Sequence, residues 1–396
     1  MDRALIDSII NNVDLVEIIQ ERLPLKKAGR NFKTPCPFHN EKTPSFVVSP
    51  DKQIFHCFGC GAGGNVITFL MKYEKIPFFE ALEILAKKAN ISLPARRGDD
   101  TQSAERFASI HKVNAMAAEF YSSLLGGSSG LVCKRYLKER VVTEETISFF
   151  KLGYSPNSWE STLSHLTGRG IGNEDLLSAG LILKREKAEG YYDRFRNRLM
   201  FPIFDIGQKV VGFGARALDD SMPKYMNSPE TPVYRKGRIL YGLNFSKGFI
   251  KENDFSIVVE GYLDFIIPFQ FGIKNIVATL GTALTSDQVS SLRRLSKTVV
   301  VVFDPDTAGE EASLRGLDLL VSMDMNVRIA TLPKGYDPDT FVRKYGKDAF
   351  LNLIKASKDL FDYKMGLLNA KYNKDGVRGR AAIATLMLPT IARIPN

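Results

Sequence analysis

The clearest pattern of hydrophobic and polar positions lies in the second half of the chain, where short apolar runs alternate with segments of helical spacing. The runs are rich in valine and isoleucine and predict strands at 256–259, 275–278, 298–303 and 326–330. The segments with helical spacing lie near 263–271, 286–295 and 308–321. Nearly continuous apolar strands separated by helices predict a buried parallel sheet with right-handed crossovers. After Pro338 the pattern is again helical.

A second pattern, near the N-terminus, predicts a β-hairpin. The segments 45–49 and 53–57 favour strands and flank a tight turn. Two metal-ligand pairs bound the hairpin, and their members are Cys36 with His39 and Cys57 with Cys60. Each pair offers two ligands to one tetrahedral Zn²⁺, so all four positions of the ion are filled. We therefore predict a zinc ribbon whose ion is structural rather than catalytic.

Two alternatives to this ligand set stay open. One is a disulfide with an unrelated histidine. Four cysteines in 396 residues, behind an N-terminus without a basic export signal, indicate a reducing compartment and argue against it. The other is His56 in place of His39. Because His56 adjoins Cys57 on a predicted strand, its side chain should point to the opposite face.

The length and the charge of the chain limit the number of domains and the kind of partner it can have. A chain of 396 residues is long enough for two or three domains, and no apolar run approaches the length of a membrane span. The formal net charge is +10, and residues 184–247 carry 13 Lys or Arg against 7 Asp or Glu. Since these basic residues interleave with glycine, asparagine and aromatic residues, we favour a polyanion-binding surface over a solvated basic face.

Within the basic stretch, Arg194, Arg196 and Arg198 alternate in sequence. On a strand, this spacing would set three guanidinium groups on one face. We predict a phosphate track, with solvated arginines on an edge strand as the alternative.

Acidic residues follow the predicted parallel strands, where ligands of open parallel sheets bind. Glu260 follows the first strand and Asp264 lies one helical turn further on. The other acids of this edge are Asp304, Asp306, Asp337 and Asp339. Converging carboxylates repel one another unless a cation lies between them, and oxygen ligands favour Mg²⁺ or Mn²⁺. The alternative is that each acid caps the helix that follows it.

At these residues the chain resembles a known family. Glu260-Gly261 with Asp264, followed by the D-x-D-x-A-G motif that begins at Asp304, resembles the signature of Toprim domains. The preceding Cys/His/Cys/Cys ribbon resembles that of bacterial DNA primases of the DnaG type. Segments 192–203, 212–216 and 223–231 are similar to the basic core of that family. The resemblance covers nearly the whole chain.

The resemblance and the patterns together predict a multidomain α+β and α/β protein. Its expected parts are a zinc-ribbon DNA-binding domain, a linker, a mixed basic N-terminal subdomain of a polymerase core, a Toprim catalytic subdomain with a parallel sheet, and a helical C-terminal segment. Their expected bounds are 1–94, 95–106, 107–254, 255–340 and 341–396.

The family implies a DNA primase, a nucleotidyltransferase with DNA-directed RNA polymerase activity that makes RNA primers on single-stranded DNA. Expected partners are the single-stranded DNA template, ribonucleoside triphosphates and the RNA primer. Family members usually continue into a C-terminal helical domain that docks on the replicative helicase. We expect the helicase contact from such a domain, absent from this sequence, with a different mode of engagement as the alternative. The expected location is the bacterial cytoplasm, at the nucleoid-associated replication fork, and the expected metals are one structural Zn²⁺ and catalytic Mg²⁺ or Mn²⁺.

The resemblance also assigns roles to residues. Glu260, Asp304 and Asp306 are expected to hold Mg²⁺, with Asp264, Asp337 and Asp339 as supporting or additional ligands. The expected catalytic residues are Glu260, Asp264, Asp304, Asp306 and Lys224. Lys224 and Arg216 are also expected to contact phosphates of the template or the incoming nucleotide. Nucleic-acid or nucleotide contacts are expected from Arg194, Arg196, Arg198, Lys236, Asn227 and Tyr262. Apart from the resemblance, the ribbon surface as a whole is expected to contact single-stranded DNA, with packing as the alternative role of Phe58. Its candidate residues are Phe46, Phe55, Phe58, Lys33, Lys42 and Lys52.

One departure from the family is Pro305, which stands where a glycine usually separates the paired aspartates. We expect metal binding to survive it, because side chains rather than that backbone N–H hold the ion. Two other functions stay open: a Toprim metal-dependent nuclease, and a non-catalytic zinc-ribbon DNA-binding adaptor. No G-x4-G-K-[ST] motif occurs, so a fused nucleotide-driven helicase is not predicted.

Overall fold

The computed structural model describes residues 3–39, 41, 43–74, 76, 78–91, 98–186, 189–281, 283–303 and 317–392. The chain divides into two compact units, Met1–Gln102 and Ser103–Asn396. The five domain bounds expected from sequence stay predictions. Within the expected linker, the described residues belong to a long helix, α5 (Gly98–Gly126). The polar composition of this stretch suggested a linker, but no proline occurs in it after Pro94 to prevent a helix.

The N-terminal unit contains a five-stranded antiparallel sheet in the order β1-β2-β3-β4-β5. Its strands are β1 Lys26–Ala28, β2 Asn31–Thr34, β3 Phe46–Ser49, β4 Ile54–Cys57 and β5 Gly63–Gly64. Its helices are α1 Arg3–Asn11, α2 Leu15–Gln20, α3 Val66–Tyr73 and α4 Phe78–Lys88. Strands β3 and β4 form the predicted hairpin, with Phe46 paired to Cys57. Alternate residues of both strands are buried, so one face of the hairpin packs on the helices.

The second unit begins with a mixed region built on a four-stranded sheet in the order β11-β10-β9-β6. Its strands, with the separate hairpin β7–β8, are β6 Gly153–Ser155, β7 Ile182–Lys184, β8 Tyr191–Asp193, β9 Arg198–Phe204, β10 Val210–Ala217 and β11 Tyr225–Asn227. Its helices after α5 are α6 Leu131–Glu139, α7 Glu144–Phe149, α8 Ser161–Thr167, α9 Asn173–Ser178 and α10 Leu243–Asn253. Every residue of β9 is buried, so this strand lies at the centre of the region.

The predicted parallel sheet is confirmed, in the order β13-β12-β14-β15-β16. Its strands are β12 Ser256–Val259, β13 Ile276–Ala278, β14 Thr298–Phe303, β15 Asn326–Thr331 and β16 Lys358–Asp359. The first four pair in parallel, whereas β16 adds an antiparallel edge. The hydrophobic pattern missed β16 because two exposed polar residues carry no strand signal. Because β12 and β14 are parallel neighbours, their carboxyl ends lie next to each other at one edge of the sheet.

Some helices of this region connect the strands of the sheet, and others come after its last strand in the sequence. They are α11 Tyr262–Gln270, α12 Ser286–Arg293, α13 (317–322 among the described residues), α14 Pro338–Lys355, α15 Leu360–Lys371 and α16 Val377–Ile391. The apolar residues of the parallel strands are buried beneath them. In the described part of the chain, no helix combines the length and the apolar character that crossing a membrane requires.

Candidate metal and nucleic-acid site

Four side chains of the N-terminal unit form a metal-binding cluster: the ligand atoms of Cys36, His39, Cys57 and Cys60 lie within 4.8 Å of one another. Sγ of Cys36 is 3.8 Å from Sγ of Cys60, and Nδ1 of His39 is 3.8 Å from Sγ of Cys57. Sulfur ligands about 2.3 Å from a tetrahedral Zn²⁺ are about 3.8 Å apart. The donor set therefore fits zinc. His56 is exposed on the other face of β4, as its place beside Cys57 predicted.

Glu41, which the sequence did not single out, links the parts of this cluster. Its carboxylate accepts hydrogen bonds from the N–H groups of Cys36 and Ser45, at 2.7 and 3.0 Å. It also lies 3.2 Å from Nε2 of His39. An Nε2–H that donates to Glu41 leaves Nδ1 of His39 for the metal, the usual arrangement of a carboxylate behind a ligating histidine.

The thiols of the cluster differ in acidity. Burial acts to raise the pKa of Cys57, but hydrogen bonds from the Ser45 hydroxyl and from the N–H groups of Cys60 and Gly59 lower it to about 6. Burial raises the pKa of Cys36 to about 12, and the neighbouring Cys57 adds to the effect. Cys57 is thus the first thiolate available to a metal ion.

The expected DNA surface of the ribbon needs a correction. Phe46 and Phe55 are at most 1% exposed, and their rings stack 5.1 Å apart in the core. Alternation along β3 and β4 turns both rings inward, so neither can stack on a base. Phe58 is 75% exposed, and Lys33 and Lys52 are exposed. Lys42 lies outside the described residues.

In the second unit, the acidic edge forms where α11 and α14 begin. Asp264 accepts a hydrogen bond from the N–H of Gly261 at 3.1 Å and another from the N–H of Asp339. Asp337 caps α14 by accepting from the N–H of Thr340 at 2.7 Å. The structure thus brings Asp264, Asp337 and Asp339 together, and Glu260 is exposed just after β12. Asp304, Pro305 and Asp306 lie outside the described residues.

This crowding changes the acidity of Asp264. Burial, and then the negative charges of Asp337 and Asp339, raise its pKa to about 7. Asp339 itself is 1% exposed and forms ion pairs with Arg140 and Arg343. Two guanidinium groups compensate the buried charge of Asp339, so both of its carboxylate oxygens already have partners within the protein.

An aromatic ring connects this edge with the basic residues. The ring centroid of Tyr136 is 5.5 Å from Cζ of Arg140 and 4.2 Å from Cζ of Arg216. Arg216 pairs across the sheet with Tyr225, and exposed Lys224 directly precedes Tyr225. A continuous set of contacts therefore runs from Asp264 through Asp339, Arg140 and Tyr136 to Arg216.

Asn227 and Tyr262 form a second connection. The hydroxyl of Tyr262 donates to Oδ1 of Asn227 at 2.7 Å, and its ring stacks on Phe201 at 4.6 Å. Tyr262 is 3% exposed, so a nucleotide would meet Asn227 rather than the tyrosine ring. Gly214 makes this packing possible, because a Cβ there would lie 2.0 Å from the Tyr262 hydroxyl.

The expected placement of Arg194, Arg196 and Arg198 on one strand is wrong, and their phosphate contacts stay predictions. Strand β8 ends at Asp193 and β9 begins at Arg198, so Arg194 and Arg196 lie in the connection between them. Asn197, at φ 50°, turns the chain just before β9 and breaks the alternation. Arg198 is 6% exposed and donates to the carbonyl of Pro223 at 2.9 Å, so it supports the fold.

Arg196 instead belongs to a surface with the chain's one tryptophan. Its Cζ lies 4.2 Å from the ring centroid of Trp159, which is 57% exposed. Arg194 is partly buried. Lys236 begins a short 3-10 helix, and its backbone N–H donates a hydrogen bond to the carboxylate of Glu230 at 2.9 Å. The contact of Lys236 uses its backbone N–H and leaves its side chain for a ligand. In Arg196, Nη1 donates to the carbonyl of Asp193, so the rest of the guanidinium is what a ligand can meet.

Sequence reasoning missed Arg140, Arg343, Trp159 and Glu41. Arg343 stands four residues after Asp339, a helical spacing that could have indicated the pair. A lone tryptophan near a basic stretch is a weaker signal. Nothing in the sequence indicated Arg140, because 199 residues separate it from Asp339.

Comparison with known families covers both units. The chain matches the CHC2 zinc finger at residues 1–101, the N-terminal domain of the DNA primase catalytic core at 120–247, and a Toprim-like domain at 257–342. Together with the geometry above, these matches define the class: a zinc-ribbon protein with a Toprim-containing catalytic core.

Individual relatives identify the family. The chain is 46% identical over 355 residues to a DNA primase of Clostridium acetobutylicum, covering 89% of this chain and 58% of the relative. It is similar to the crystal structure of the zinc-binding and RNA polymerase domains of Aquifex aeolicus primase, with a TM-score of 0.64, 36% identity, and coverage of 99% and 93% of the two chains. A structure of the DnaG primase catalytic domain bound to single-stranded DNA matches with a TM-score of 0.67 and 34% identity, covering 74% of this chain and 95% of that one.

The chain belongs to the bacterial DNA primase family of the DnaG type. It spans somewhat more than half the length of the Clostridium relative, 58%.

Proposed function

We propose that this chain synthesises short RNA primers on single-stranded DNA, as a nucleotidyltransferase that joins ribonucleoside triphosphates. The observation that carries the proposal is the set of contacts from Asp264 through Asp339, Arg140 and Tyr136 to Arg216. It supports a triphosphate held between acids that bind a cation and basic groups that contact phosphate oxygens.

The acidic edge has the donors that a divalent cation needs. Glu260, Asp304 and Asp306 would hold Mg²⁺ or Mn²⁺, and the ion would neutralise charge on the triphosphate. Asp264 and Asp337 hold the starts of α11 and α14 in place beside it. Asp339, with its two arginines, positions Asp264 through the backbone rather than serving as a ligand.

The basic residues divide into two groups by their surroundings. Arg216, stacked on Tyr136, forms no ion pair with any residue that the structure describes, and Lys224 beside it is exposed. These two contact phosphates of the nucleotide or the template, and Asn227 contacts the nucleotide. Arg196 and Trp159 form a template surface, in which the indole stacks on a base and the guanidinium meets a phosphate.

The remaining partners follow from the family. Single-stranded DNA is the template, as in the related catalytic domain bound to it. A replicative helicase would engage a further domain of the longer relatives, and the place of action would be the replication fork in the bacterial cytoplasm. The zinc ribbon, with exposed Phe58, Lys33 and Lys52, would contact the template separately.

One assay tests the proposal. The chain is incubated with end-labelled single-stranded DNA, ribonucleoside triphosphates and Mg²⁺, with and without helicase, and both RNA and DNA are resolved on a gel. We expect short RNA products and intact DNA. Shortened DNA without RNA would instead identify a nuclease, and DNA binding without either product would identify a non-catalytic adaptor.

A further inference from the structure

Arg216 differs from the other arginines near the acidic edge in how the protein holds its charge. Arg140 and Arg343 both form ion pairs with Asp339. Arg216 forms no ion pair with any residue that the structure describes. A carboxylate partner would compete with the phosphate of a ligand for the same guanidinium. The fold therefore has to hold Arg216 by contacts that leave its charge available.

Aromatic rings supply these contacts. Cζ of Arg216 lies 4.2 Å from the ring centroid of Tyr136 and 5.8 Å from that of Tyr225, its cross-strand partner. Tyr136 belongs to α6 and Arg216 to β10, so the closer contact joins two elements that are separate in the chain. Nη1 of Arg216 also donates to the carbonyl of Ala217 at 3.3 Å. An electron-rich ring attracts a cation without neutralising it.

The ring of Tyr136, rather than its hydroxyl, makes the contact with Arg216. The hydroxyl oxygen is buried and has no hydrogen-bond partner among the described residues. Burial raises the pKa of Tyr136, although the nearby positive charges of Arg216 and Arg140 act against this rise. The phenol therefore stays neutral at physiological pH. A buried, neutral hydroxyl does not meet a ligand, so the ring is the part of this side chain that can serve the site.

We propose that Tyr136 is a positioning residue, which holds the Arg216 guanidinium beside the acidic edge and leaves its charge for phosphate binding. This inference rests on the proposed function, in which Arg216 contacts a phosphate of the nucleotide or the template. Tyr136 touches no ligand, and its effect passes through Arg216. Arg140 lies 5.5 Å from the same ring, but it does not replace Arg216 because Asp339 already pairs with it.

Equilibrium binding to the full chain tests this role without requiring catalysis. The probes are a fluorescent single-stranded oligodeoxynucleotide and ATP with Mg²⁺, and Arg216→Ala shows which of them meets the guanidinium. We expect Tyr136→Leu to weaken binding of the same probe by about two- to thirtyfold, the range that one cation–π contact supplies. Tyr136→Phe should keep the wild-type affinity within about twofold, because it keeps the ring.

A double-variant cycle separates positioning from general support of the fold. In the Arg216→Ala background, Tyr136→Leu should cost no further affinity, because the ring then has no guanidinium to hold. A ring that only supports the fold would cost the same factor in both backgrounds. Thermal unfolding checks that each variant folds.

A second replacement keeps the test decisive if Tyr136→Leu fails to fold. Replacing Tyr136 with pentafluorophenylalanine keeps the shape of the ring but withdraws electrons from its face, so the ring no longer attracts a cation. We expect this replacement to weaken binding as Tyr136→Leu does, and Tyr136→Phe is its reference.

Tyr372 offers a matched control. Its ring centroid lies 5.8 Å from Nζ of Lys371 at the end of α15, and neither residue belongs to the acidic edge or to the basic sheet. Tyr372→Leu removes a ring beside a cation, as Tyr136→Leu does. It should leave the affinity for both probes unchanged.

Four results would overturn the proposal. They are no binding of either probe by the wild type, wild-type affinity for both probes in Arg216→Ala, wild-type affinity in folded Tyr136→Leu or with the fluorinated ring, and equal losses from Tyr136→Leu with and without Arg216. A loss in Tyr136→Phe as large as in Tyr136→Leu would also contradict it, since the hydroxyl would then be the active group. Primer synthesis by the wild-type chain is a separate measurement, and an absence of RNA products with this binding pattern intact would refute the proposed function alone.

Discussion

The hydroxyl of Tyr262 donates a hydrogen bond to Oδ1 of Asn227 at 2.7 Å. This contact joins α11, which carries Asp264, to β11, the strand that Lys224 precedes. The relative position of the acidic edge and the basic sheet therefore depends partly on one buried hydroxyl.

Removing that hydroxyl should loosen the connection without removing the ring. We expect Tyr262→Phe to lower the free energy of unfolding by about 1–2 kcal/mol, because the amide of Asn227 loses a buried partner. Denaturant unfolding of Tyr262→Phe, Asn227→Ala and the double variant measures the coupling. Strictly additive losses would show that the hydrogen bond contributes nothing to stability.

Zinc should be held by the four ligands alone. Metal analysis should find about one Zn²⁺ per chain, and Cys57→Ala should lose it and unfold the N-terminal unit, because such sites contribute about 10–16 kcal/mol in small domains. Glu41→Gln should keep the ion but weaken its affinity about 10- to 100-fold in a chelator competition. Cys133→Ala is the control for cysteine loss, since Cys133 is outside the cluster. Full zinc retention by Cys57→Ala would refute the ligand set.

In the absence of Mg²⁺, the protein should become less stable to unfolding as the pH rises towards 7. The pKa of Asp264 is raised to about 7 by burial and neighbouring acids, and an unfolded aspartate has a pKa of about 3.9. Between these values the folded state binds more protons than the unfolded state, so stability falls as the pH rises, by at most about 1.4 kcal/mol per pH unit from this group.

Asp264→Asn should remove the contribution of this carboxyl group to the pH dependence of the free energy of unfolding. Unfolding curves of wild type and variant between pH 4 and pH 8 give the difference, and Mg²⁺ should reduce it, since a cation favours the ionised carboxylate. Parallel curves for the two proteins would show that Asp264 titrates in its ordinary range.

The proposed template surface of Arg196 and Trp159 should make two distinguishable contributions to DNA binding. Arg196→Ala should lower the slope of log affinity against log salt by about 0.7, as expected for one phosphate contact on single-stranded DNA. Trp159→Ala should cost about 1–3 kcal/mol of binding while leaving that slope nearly unchanged. Fluorescence anisotropy across a salt series measures both quantities.

Arg198→Ala is the comparison within the same segment. This arginine is buried against Pro223, so its loss should lower stability more than DNA affinity. If all three variants weaken binding with the same change of slope, the division of roles between them is wrong.

Primer synthesis should depend on the acids far more than DNA binding does. Glu260→Ala and Asp304→Ala should abolish nucleotide joining, yet DNA affinity should stay equal or increase, because both changes remove negative charge. Lys224→Ala should reduce turnover more than template affinity. Synthesis rates and DNA affinities of each variant are compared over a range of Mg²⁺ concentrations. Near-normal synthesis in Glu260→Ala or Asp304→Ala would show that the catalytic acids lie elsewhere.

The sequence by itself determined the features that depend on local pattern. The strands of the parallel sheet and the hairpin of the ribbon follow from the alternation and clustering of apolar residues, and the zinc ligands follow from their spacing. The exposure of His56 beside buried Cys57 followed from the two-residue period of a strand.

Only the tertiary structure decided which residues are available and which distant residues meet. Phe46 and Phe55 became core residues because the hairpin packs one face on the helices, and Arg198 became structural because β9 is central to its sheet. The pairing of Arg140 with Asp339 depends on packing between elements far apart in the chain. Local patterns report the periodicity of one element, whereas burial and long-range contacts arise only when several elements share a core.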